Sequence, residues 1–599
     1  MSDLTRRTSA PPEGLRGNLT SAAHIARLRS AARQTDNRNK TLPAASSPYI
    51  ELGPRAHGPA IATTTDFGLL LLLWLLVCWL IGVHGNFPIN DDWSYAVTVQ
   101  RLLDEGTFRP TGWTSMPLLT HTLWGALFCL PNGHSAEALR MSTLAMGYLG
   151  LIATYGLMRE VGAGRRLSLF AASIVACNPL YVALAFTYMT DLPFVAMSVT
   201  ALWLFARSLR TNSRTAATIA TVVMVLAILN RQLGLFVGIG FAAALLRRDG
   251  WSLATALRAV LPLSIGVAVL VTFEWSLRQA NVMPIEYAVK TAKLMAAFGE
   301  PAVLLRSIAE GTFLGLAYVG LFTLPMLLMR DRPRNRVATA VSLLTLATMT
   351  VALINSGRLM PLGFNVMTAA GIGPDTLRDV YLLKEPNQHN MPVGFWLGIT
   401  ALSLIGAAHL VARLTTELHR MFTAAAGPDI AVRTMLLFGA AAYSAPILSQ
   451  THIDRYLLVF VPIVGALVMM PDKNAASPPH MGSRSIAATA AFLPLILLAI
   501  VGTHDWMERT RTRWHALDWI ENDLGIEPTK IDGGFEYNGS RNYDETFKPV
   551  TDHSWWWVHD AEYIIAMGPL PGYRELRTFA VNNWLPQPND NIVVLQRDK

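Results

Sequence analysis

The chain has 599 residues, of which 52% are hydrophobic and only 15% charged, with a mean hydropathy of +0.34 and a formal net charge of +8. These values exclude an ordinary soluble protein and indicate a protein that crosses a membrane several times. The sequence holds three cysteines and no Walker loop, dinucleotide fingerprint, HExxH or CxxC motif. Nucleotide hydrolysis, redox cofactors and cysteine-bound zinc therefore lack support.

The first 66 residues are rich in Arg, Ser, Thr, Ala and Pro and show no sustained apolar period. This composition predicts a disordered, basic cytoplasmic tail. A cleavable secretory signal has a much shorter charged region before its apolar core, so the first apolar run is predicted to stay as an anchor. The tail's positive charge is better explained by contact with anionic lipid headgroups than by nucleic-acid binding.

Apolar runs interrupted by Gly and Pro follow one another from residue 67 to residue 503. Their length, about 17 to 25 residues, matches the hydrocarbon core of a bilayer. They predict an all-α polytopic domain of about thirteen transmembrane helices. The predicted spans are 67–84, 138–158, 167–186, 191–207, 215–230, 232–247, 259–276, 308–329, 337–355, 394–413, 433–448, 456–470 and 486–503.

The arginines of the short loops predict the orientation, because loops rich in Arg and Lys stay in the cytoplasm. With a cytoplasmic N-terminus, the alternation of basic and non-basic loops holds along the chain. Loops 85–137 and 356–393 then lie outside, and an odd number of spans leaves residues 504–599 outside as well. We expect a bacterial inner-membrane protein with a periplasmic C-terminal domain. The cytoplasmic arginines are Arg159, Arg165, Arg166, Arg207, Arg210, Arg214, Arg247, Arg248, Arg330, Arg332, Arg334 and Arg336.

Residues 504–599 differ from the rest in charge. They hold 16 acidic and 10 basic residues, a balance of −6, which leaves +14 for the remainder. The apolar spacing at 506–524 predicts a helix. Short β runs separated by turn signals complete a small α/β domain. These runs are 529–532, 562–567, 577–581 and 591–596.

Two segments leave alternatives open. The loop 356–393 is rich in Gly and Pro, so it either covers a site or is a mobile linker. The three tryptophans 555–557 could enter the headgroup layer, stack on a sugar or fill a small core, and core packing is the preferred interpretation.

Two adjacent acids, Asp91 and Asp92, follow the first span in GNFPINDDWSYA. Carboxylates at a membrane surface, with Trp93 and Tyr95 close by, indicate chemistry on a membrane-bound substrate. A solvated acidic turn that caps a helix is the simpler alternative. Successive side chains diverge on a helix or strand, so the pair does not suit a hydrolase that needs two facing carboxylates.

NDDWSYA resembles the acidic motif in the first external loop of the GT-C superfamily of integral-membrane glycosyltransferases. The resemblance is to the protein O-mannosyltransferase-like and aminoarabinose transferase-like bacterial members of glycosyltransferase family 39. It covers about residues 67–250 and 440–470. Three later strings are similar and come in the family's order: LTHTLWGALFCLPNGHSAEALRMSTLAMG, NPLYVALAFTYMTDLPF with Asp191, and DRYLLVFVP from Asp454 to Pro462.

The resemblance implies a GT-C fold and inverting transfer of a sugar from a polyprenyl-phosphate donor to an acceptor on the outer side. It assigns Asp91 as the base, Asp92 as a supporting group, and Asp191 as a group across the cavity that orients the acceptor or a metal. One carboxylate suffices as base, because the phosphate leaves readily as an anion. Burial and the neighbouring acid are expected to raise the pKa of the working carboxylate.

Asp191 has a simpler explanation, since an acid at the start of a span complements the helix dipole, and Thr190 could be the cap. Arg231 is the strongest candidate for binding the phosphate. A charge this close to the membrane core costs about 2.5 to 3.5 kcal/mol and is usually functional or paired, although it could snorkel to the interface. The other candidates for substrate binding are Tyr95, Gln232, Lys290, Lys293, Arg358, Arg455 and Tyr456, while Asp454 could simply pair with Arg455.

The sequence leaves the sugar, the acceptor and any divalent metal open. The acceptor could be a protein, lipid A, a polysaccharide or a cell-wall glycan. The alternative function is a multispanning transporter or lipid flippase, which would place ionisable groups at the bilayer midplane and show inverted repeats. A scaffolding protein would leave Asp91, Asp191 and Arg231 without a joint purpose.

Overall fold

The computed structural model describes residues 60–599 with some gaps. Residues Thr64–Lys599 form one compact unit, which holds every element of the described chain except the first four residues of the helix that begins at Ala60. Most of the predicted tail, residues 1–59, lies outside the described residues, and residues 60–66 already form the start of a helix. The gaps are residues 298, 332–334, 358–364, 369–370, 375, 385–390, 451–452, 472–480, 586–589 and 599.

The described part of the chain is mainly helical. The helices are α1 (Ala60–Ile81), α2 (Asp92–Glu105), α3 (Leu119–Cys129), α4 (Ala136–Glu160), α5 (Arg165–Ala176), α6 (Pro179–Ala185), α7 (Asp191–Thr211), α8 (Arg214–Asn230), α9 (Leu235–Asp249), α10 (Leu253–Gln279), α11 (Ile285–Ala297), α12 (Pro301–Leu328), α13 (Arg336–Ser356), α14 (Val393–Thr423), α15 (Pro428–Gln450), α16 (Phe460–Met469), α17 (Met481–Asp518) and α18 (Phe535–Asn542).

Each of the thirteen predicted spans coincides with a helix or a pair of helices. Nine of the described helices are long and apolar enough to cross a membrane, and ten spans result if the bent pair α5 and α6 counts as one. The remaining predicted spans correspond to the shorter helices α8, α9 and α16. The predicted helical, polytopic architecture is therefore confirmed.

Short helices α2 and α3 lie in the loop between the first two predicted spans, 85–137. Helix α2 ends at Gly106, whose φ of +67° lies in the left-handed region that glycine adopts without strain. The first turn of α2, Asp92 to Tyr95, is buried on all sides. The loop is therefore a packed structure that holds the acidic motif in place.

Helices α12 and α14 approach each other closely at two glycines. A Cβ atom added to Gly320 would lie 2.3 Å from the backbone nitrogen of Ala407, and one added to Gly406 would lie 2.3 Å from the carbonyl oxygen of Gly320. Small residues allow the backbones of membrane helices to meet in this way. The contact fixes the spacing of the two helices.

The C-terminal region contains a four-stranded sheet made of β3 (Ile531–Asp532), β4 (Tyr563–Ala566), β5 (Tyr573–Ala580) and β6 (Asn591–Arg597). The strand order is β3-β4-β6-β5, with β3 parallel to β4 and the other two pairs antiparallel. The predicted small α/β region near the C-terminus is therefore confirmed. A separate two-stranded hairpin, β1 (Met367–Thr368) and β2 (Gly371–Ile372), lies in the loop 356–393.

Helix α17 links the last predicted span to this sheet. It is one continuous helix of 38 residues and runs through the predicted domain boundary at 503–504. Leu517 and Ile520, at and just beyond its end, share a hydrophobic core with Ile565 and Val594 of the sheet. An independent outer domain thus stays a prediction.

The contact between α12 and α14 can be tested with Gly406→Val. We expect this change to lower the free energy of unfolding by about 1 to 3 kcal/mol, because the added atoms meet backbone. Thermal unfolding of the purified protein in detergent measures the effect. Gly398→Val is the matched control, since nothing lies within 4 Å of a Cβ at Gly398 on the same helix. Equal losses for the two variants would contradict the expectation.

Candidate active site

The side chains of Asp91 and Asp92 point to different partners, as the sequence predicts. Asp91 precedes α2, and its Oδ1 accepts a hydrogen bond from the indole Nε1 of Trp113 at 2.9 Å. Its other oxygen, Oδ2, lies 3.5 Å from Nη2 of Arg455. The side chain of Asp91 stays 16% exposed, so it is the member of the pair that solvent or a substrate can reach.

Asp92 is buried and holds the motif together. Its Oδ2 accepts hydrogen bonds from the backbone N–H groups of Tyr188, at 2.7 Å, and of Ile89, at 3.2 Å. Burial raises the pKa of Asp92 to about 8, and these two amides and the charge of Arg140 oppose that rise. Burial therefore favours the protonated form of Asp92. The raised pKa found in this motif is that of the supporting group, and burial is its main cause.

Asp191 is the first residue of α7 and is almost completely buried. Its Oδ1 accepts a hydrogen bond from Nη1 of Arg231 at 2.7 Å, and its Oδ2 lies 3.9 Å from Nε of Arg455. Arg231 is also buried, so it does not snorkel to the interface. Thr190 occupies the cap position without a side-chain cap bond. Pairing with arginine, rather than helix capping alone, thus explains Asp191.

Arg455 lies between the two acids, because it approaches Asp91 with Nη2 and Asp191 with Nε. The ring of Tyr456 lies 4.9 Å from the guanidinium of Arg231 and 5.6 Å from that of Arg455. Two carboxylates and two guanidinium groups from distant parts of the chain therefore meet at one place. Nη2 of Arg231 and Nη1 of Arg455 have no hydrogen-bond partner among the described residues.

The expectation that Asp454 pairs with the side chain of Arg455 is wrong. The carboxylate of Asp454 accepts hydrogen bonds from the backbone N–H groups of Met367, Val366 and Arg455. It therefore anchors the hairpin β1–β2 to the start of the 3-10 turn Asp454–Val459. Because these amides occupy Asp454, the guanidinium of Arg455 lies with Asp91 and Asp191 instead.

The remaining predicted residues are distributed around this centre. Tyr95 is buried on α2, and burial, followed by the negative charge of Asp91, raises the pKa of Tyr95 well above its usual value. Lys290 of α11 donates a hydrogen bond to Oγ of Ser115 at 2.5 Å. Gln232 begins the 3-10 turn that follows Arg231. The side chain of Lys293 and the whole of Arg358 lie outside the described residues.

Several residues of the site were not predicted from the sequence. Trp113 binds Asp91 directly, and Asn230 donates a hydrogen bond from Nδ2 to the carbonyl of Thr190 at 3.0 Å. Arg140 donates to the carbonyls of Phe186, at 2.9 Å, and of other residues behind Asp92. The position of Arg140, a charged residue inside an apolar span, was a signal that could have identified it as functional. Trp113 lies in an irregular loop and gave no such signal.

Within the described ranges, no group of three or more His, Cys, Asp and Glu side chains is placed to hold a metal ion. Asp91 and Asp191 face arginines at the centre of the site.

The state of Asp92 can be tested with Asp92→Asn, which resembles the protonated acid. A pKa raised from 3.8 to about 8 means that the folded protein binds the extra proton. The stability from this group is therefore complete below pH 4 and is lost as pH rises towards 8. We expect the melting temperature of the variant, relative to the unchanged protein, to rise between pH 5 and pH 8. The exposed Asp104→Asn on α2 is the control, and equal pH dependence in both variants would contradict the assignment.

Residues 116–276 match the family model described as dolichyl-phosphate-mannose-protein mannosyltransferase. No curated protein shows a significant match to the chain. The structure is similar to ArnT from Cupriavidus metallidurans bound to undecaprenyl phosphate, with 11% identity, a TM-score of 0.44, and 79% of this chain and 84% of that chain covered.

Two further solved structures show weaker similarity. The S. cerevisiae protein O-mannosyltransferase Pmt1-Pmt2 complex bound to the sugar donor shows 16% identity and a TM-score of 0.30, over 37% of this chain and 35% of that chain. The arabinosyltransferase EmbB from Mycobacterium smegmatis shows 14% identity and a TM-score of 0.26, over 78% and 45%. The resemblance seen in the sequence is confirmed by the family model: the chain is similar to the GT-C superfamily of membrane glycosyltransferases, in particular to its protein mannosyltransferase branch.

Proposed function

We propose that this protein is a glycosyltransferase that moves a sugar from a polyprenyl-phosphate donor to an acceptor on the outer side of the membrane. The observation that carries the proposal is the meeting of Asp91, Asp191, Arg231 and Arg455 next to the start of α7. The description of the matched family names a donor of this kind, a sugar on a lipid phosphate.

Asp91 is the proposed general base. Its carboxylate takes the proton of an acceptor hydroxyl while that oxygen attacks the anomeric carbon of the donor sugar. The bond between that carbon and the phosphate oxygen breaks in the same step, and the polyprenyl phosphate leaves with the electron pair. The configuration at the anomeric carbon is inverted. Asp91 suits this role because it is the exposed member of the motif, whereas Asp92 is closed in by backbone amides.

Arg231 and Arg455 are the proposed phosphate ligands. The leaving group gains negative charge during transfer, and guanidinium groups in a site shielded from water stabilise that charge most strongly. The unpartnered Nη2 of Arg231 and Nη1 of Arg455 supply two donors for its oxygens. Asp191 bonds Nη1 of Arg231 at 2.7 Å and lies 3.9 Å from Nε of Arg455, so its charge keeps both arginines in position without a donor.

The proposed location of the reaction is the periplasmic side of a bacterial inner membrane. The arginine-rich short loops support this orientation. Contacts between the acidic motif and the C-terminal region support one shared compartment, since the backbone N–H of Asn90 donates to Glu536 at 3.1 Å. Mass spectrometry of envelope glycans from cells lacking the protein would identify the class of acceptor.

Asp91→Asn tests the proposed base. We expect a loss of transfer of about a hundredfold or more, because a carboxamide cannot accept the proton. The measurement is the envelope glycan product, by mass spectrometry, in cells that lack the native protein and carry the variant at equal membrane level. Asp104→Asn, an exposed acid on the same helix, serves as control and should restore the product fully. Full product with Asp91→Asn would exclude the mechanism.

Cysteine labelling in intact cells tests the orientation. The native Cys78, Cys129 and Cys177 are buried, so background labelling is low. We expect a membrane-impermeant maleimide to react with exposed cysteines introduced at Glu105 and Lys548, and not with one at Arg166 until the membrane is opened. Labelling at Arg166 alone would place the site in the cytoplasm and overturn the proposed location.

A further inference from the structure

Asp91, the base of the proposed reaction, has a second hydrogen-bond partner besides Arg455, namely the indole of Trp113. We infer that Trp113 is a positioning residue for Asp91 and that the C-terminal region holds Trp113 in place, so that this region takes part in catalysis. The inference rests on the proposed function, because it assigns a role to the groups around the same carboxylate.

The hydrogen bond between Trp113 and Asp91 orients the carboxylate. The indole Nε1 donates to Oδ1 at 2.9 Å. The other oxygen, Oδ2, accepts a hydrogen bond from Nη2 of Arg455 at 3.5 Å, and its second lone pair can take the proton of a substrate. An indole has a single N–H donor and cannot act as acid or base in this setting. Its effect on transfer therefore comes through Asp91.

Aromatic side chains of the C-terminal region surround the ring of Trp113. Ring centroids lie 5.4 Å from Trp557, 5.7 Å from Phe535 and 6.0 Å from Trp556. Trp93, two residues after Asp91, joins the same cluster at 5.2 Å from Trp557. Pairs at these distances add attraction beyond the burial of their surface. The cluster thus connects both sides of the acidic motif to the C-terminal region.

The backbone of the cluster is strained where it meets the motif. Trp556 and Trp557 have φ angles of +41° and +65°, in the left-handed region that bulky side chains rarely adopt. Such a conformation persists only where the surrounding contacts determine it, and it is concentrated at functional sites. The tight packing of these rings on Trp113 and Trp93 supplies those contacts.

Two glutamates of the C-terminal region bind the backbone beside Trp113 and Asp91. Oε1 of Glu545 accepts from the N–H of Gly112 at 3.0 Å, and Oε1 of Glu536 accepts from the N–H of Asn90 at 3.1 Å. Nη2 of Arg513, on α17, donates a hydrogen bond to Oε2 of Glu536 at 3.0 Å. The C-terminal region thus fixes Gly112, which precedes Trp113, and Asn90, which precedes Asp91.

Loss of the indole N–H has a signature in the kinetics of transfer. Trp113 bonds the base, whereas the proposed ligands of the donor phosphate are Arg231 and Arg455. Loss of the bond therefore displaces the base and leaves the groups that bind the donor in place. A change of this kind lowers kcat and leaves KM unchanged.

Trp113→Phe tests the inference, because it keeps the ring in the cluster and removes the donor. The assay uses membranes from cells lacking the protein, which still contain the unused donor and acceptor. Each purified variant is added to these membranes in detergent, and the rate of transfer is measured. We expect kcat about ten to a hundred times lower, as for the loss of a hydrogen bond to a charged group, with the KM for the added membranes and the melting temperature unchanged. Trp124→Phe is the matched control. It also removes an indole N–H, but this one donates to the carbonyl of Ser142 at 2.8 Å and not to the base.

Glu545→Ala tests the part played by the C-terminal region, because Glu545 is exposed and its removal leaves the core intact. We expect a severalfold lower kcat with an unchanged KM, as for Trp113→Phe. Glu527→Ala, another exposed glutamate of that region, should retain the full rate. A full rate for Glu545→Ala would remove the C-terminal region from catalysis.

The outcomes separate this inference from the proposed function. Trp113→Phe at the full rate, or slower only through a raised KM or a lowered melting temperature, overturns the positioning role while an inactive Asp91→Asn keeps the base assignment. An active Asp91→Asn overturns the proposed function and the inference together. Trp113→Phe with a lower kcat and an unchanged KM, next to an inactive Asp91→Asn, supports both.

Discussion

Buried charge is the constraint on which the rest of this structure depends. Arg231, Asp191 and Arg455 are almost completely withdrawn from water, and a buried ion without a partner is very costly. Removing one member of such a pair costs about 3 to 5 kcal/mol, because the other charge stays behind. The loops that carry these residues must therefore come together. The helices are arranged so that their ends deliver four charges to one place.

The surrounding loops are fixed by polar groups that carry no substrate role of their own. Asp92 uses backbone amides to join the acidic motif to the segment before α7, and Asp454 joins the hairpin β1–β2 to the turn that carries Arg455. Asn230 ties the end of α8 to Thr190. Apart from the bond between Asp454 and the adjacent Arg455, each bond connects segments that are far apart in the chain. These bonds between loops therefore hold the site in place.

The sequence predicted much of this arrangement, and its failures have physical causes. Hydropathy located the spans, since a helix in lipid must be apolar over its whole length. Charges at the ends of those spans identified Asp91, Asp191, Arg231 and Arg455 one by one. Their pairing could not be read, because it depends on how distant helices pack. Because they are adjacent, Asp454 was suggested as the partner of Arg455, but in the structure its carboxylate accepts hydrogen bonds from backbone amides. Trp113 was missed for the same reason, since its partner lies 22 positions away.

The long helix α17 has a mechanical consequence. Its 38 residues extend for roughly 57 Å at 1.5 Å per residue, so one helix reaches from an apolar span to the C-terminal sheet. Pro494 removes a backbone hydrogen bond in the apolar half of that helix, which makes it the natural point of bending. The half that follows Pro494 ends in the hydrophobic core shared with the sheet, so this half and the sheet are expected to move as one rigid body when the helix bends.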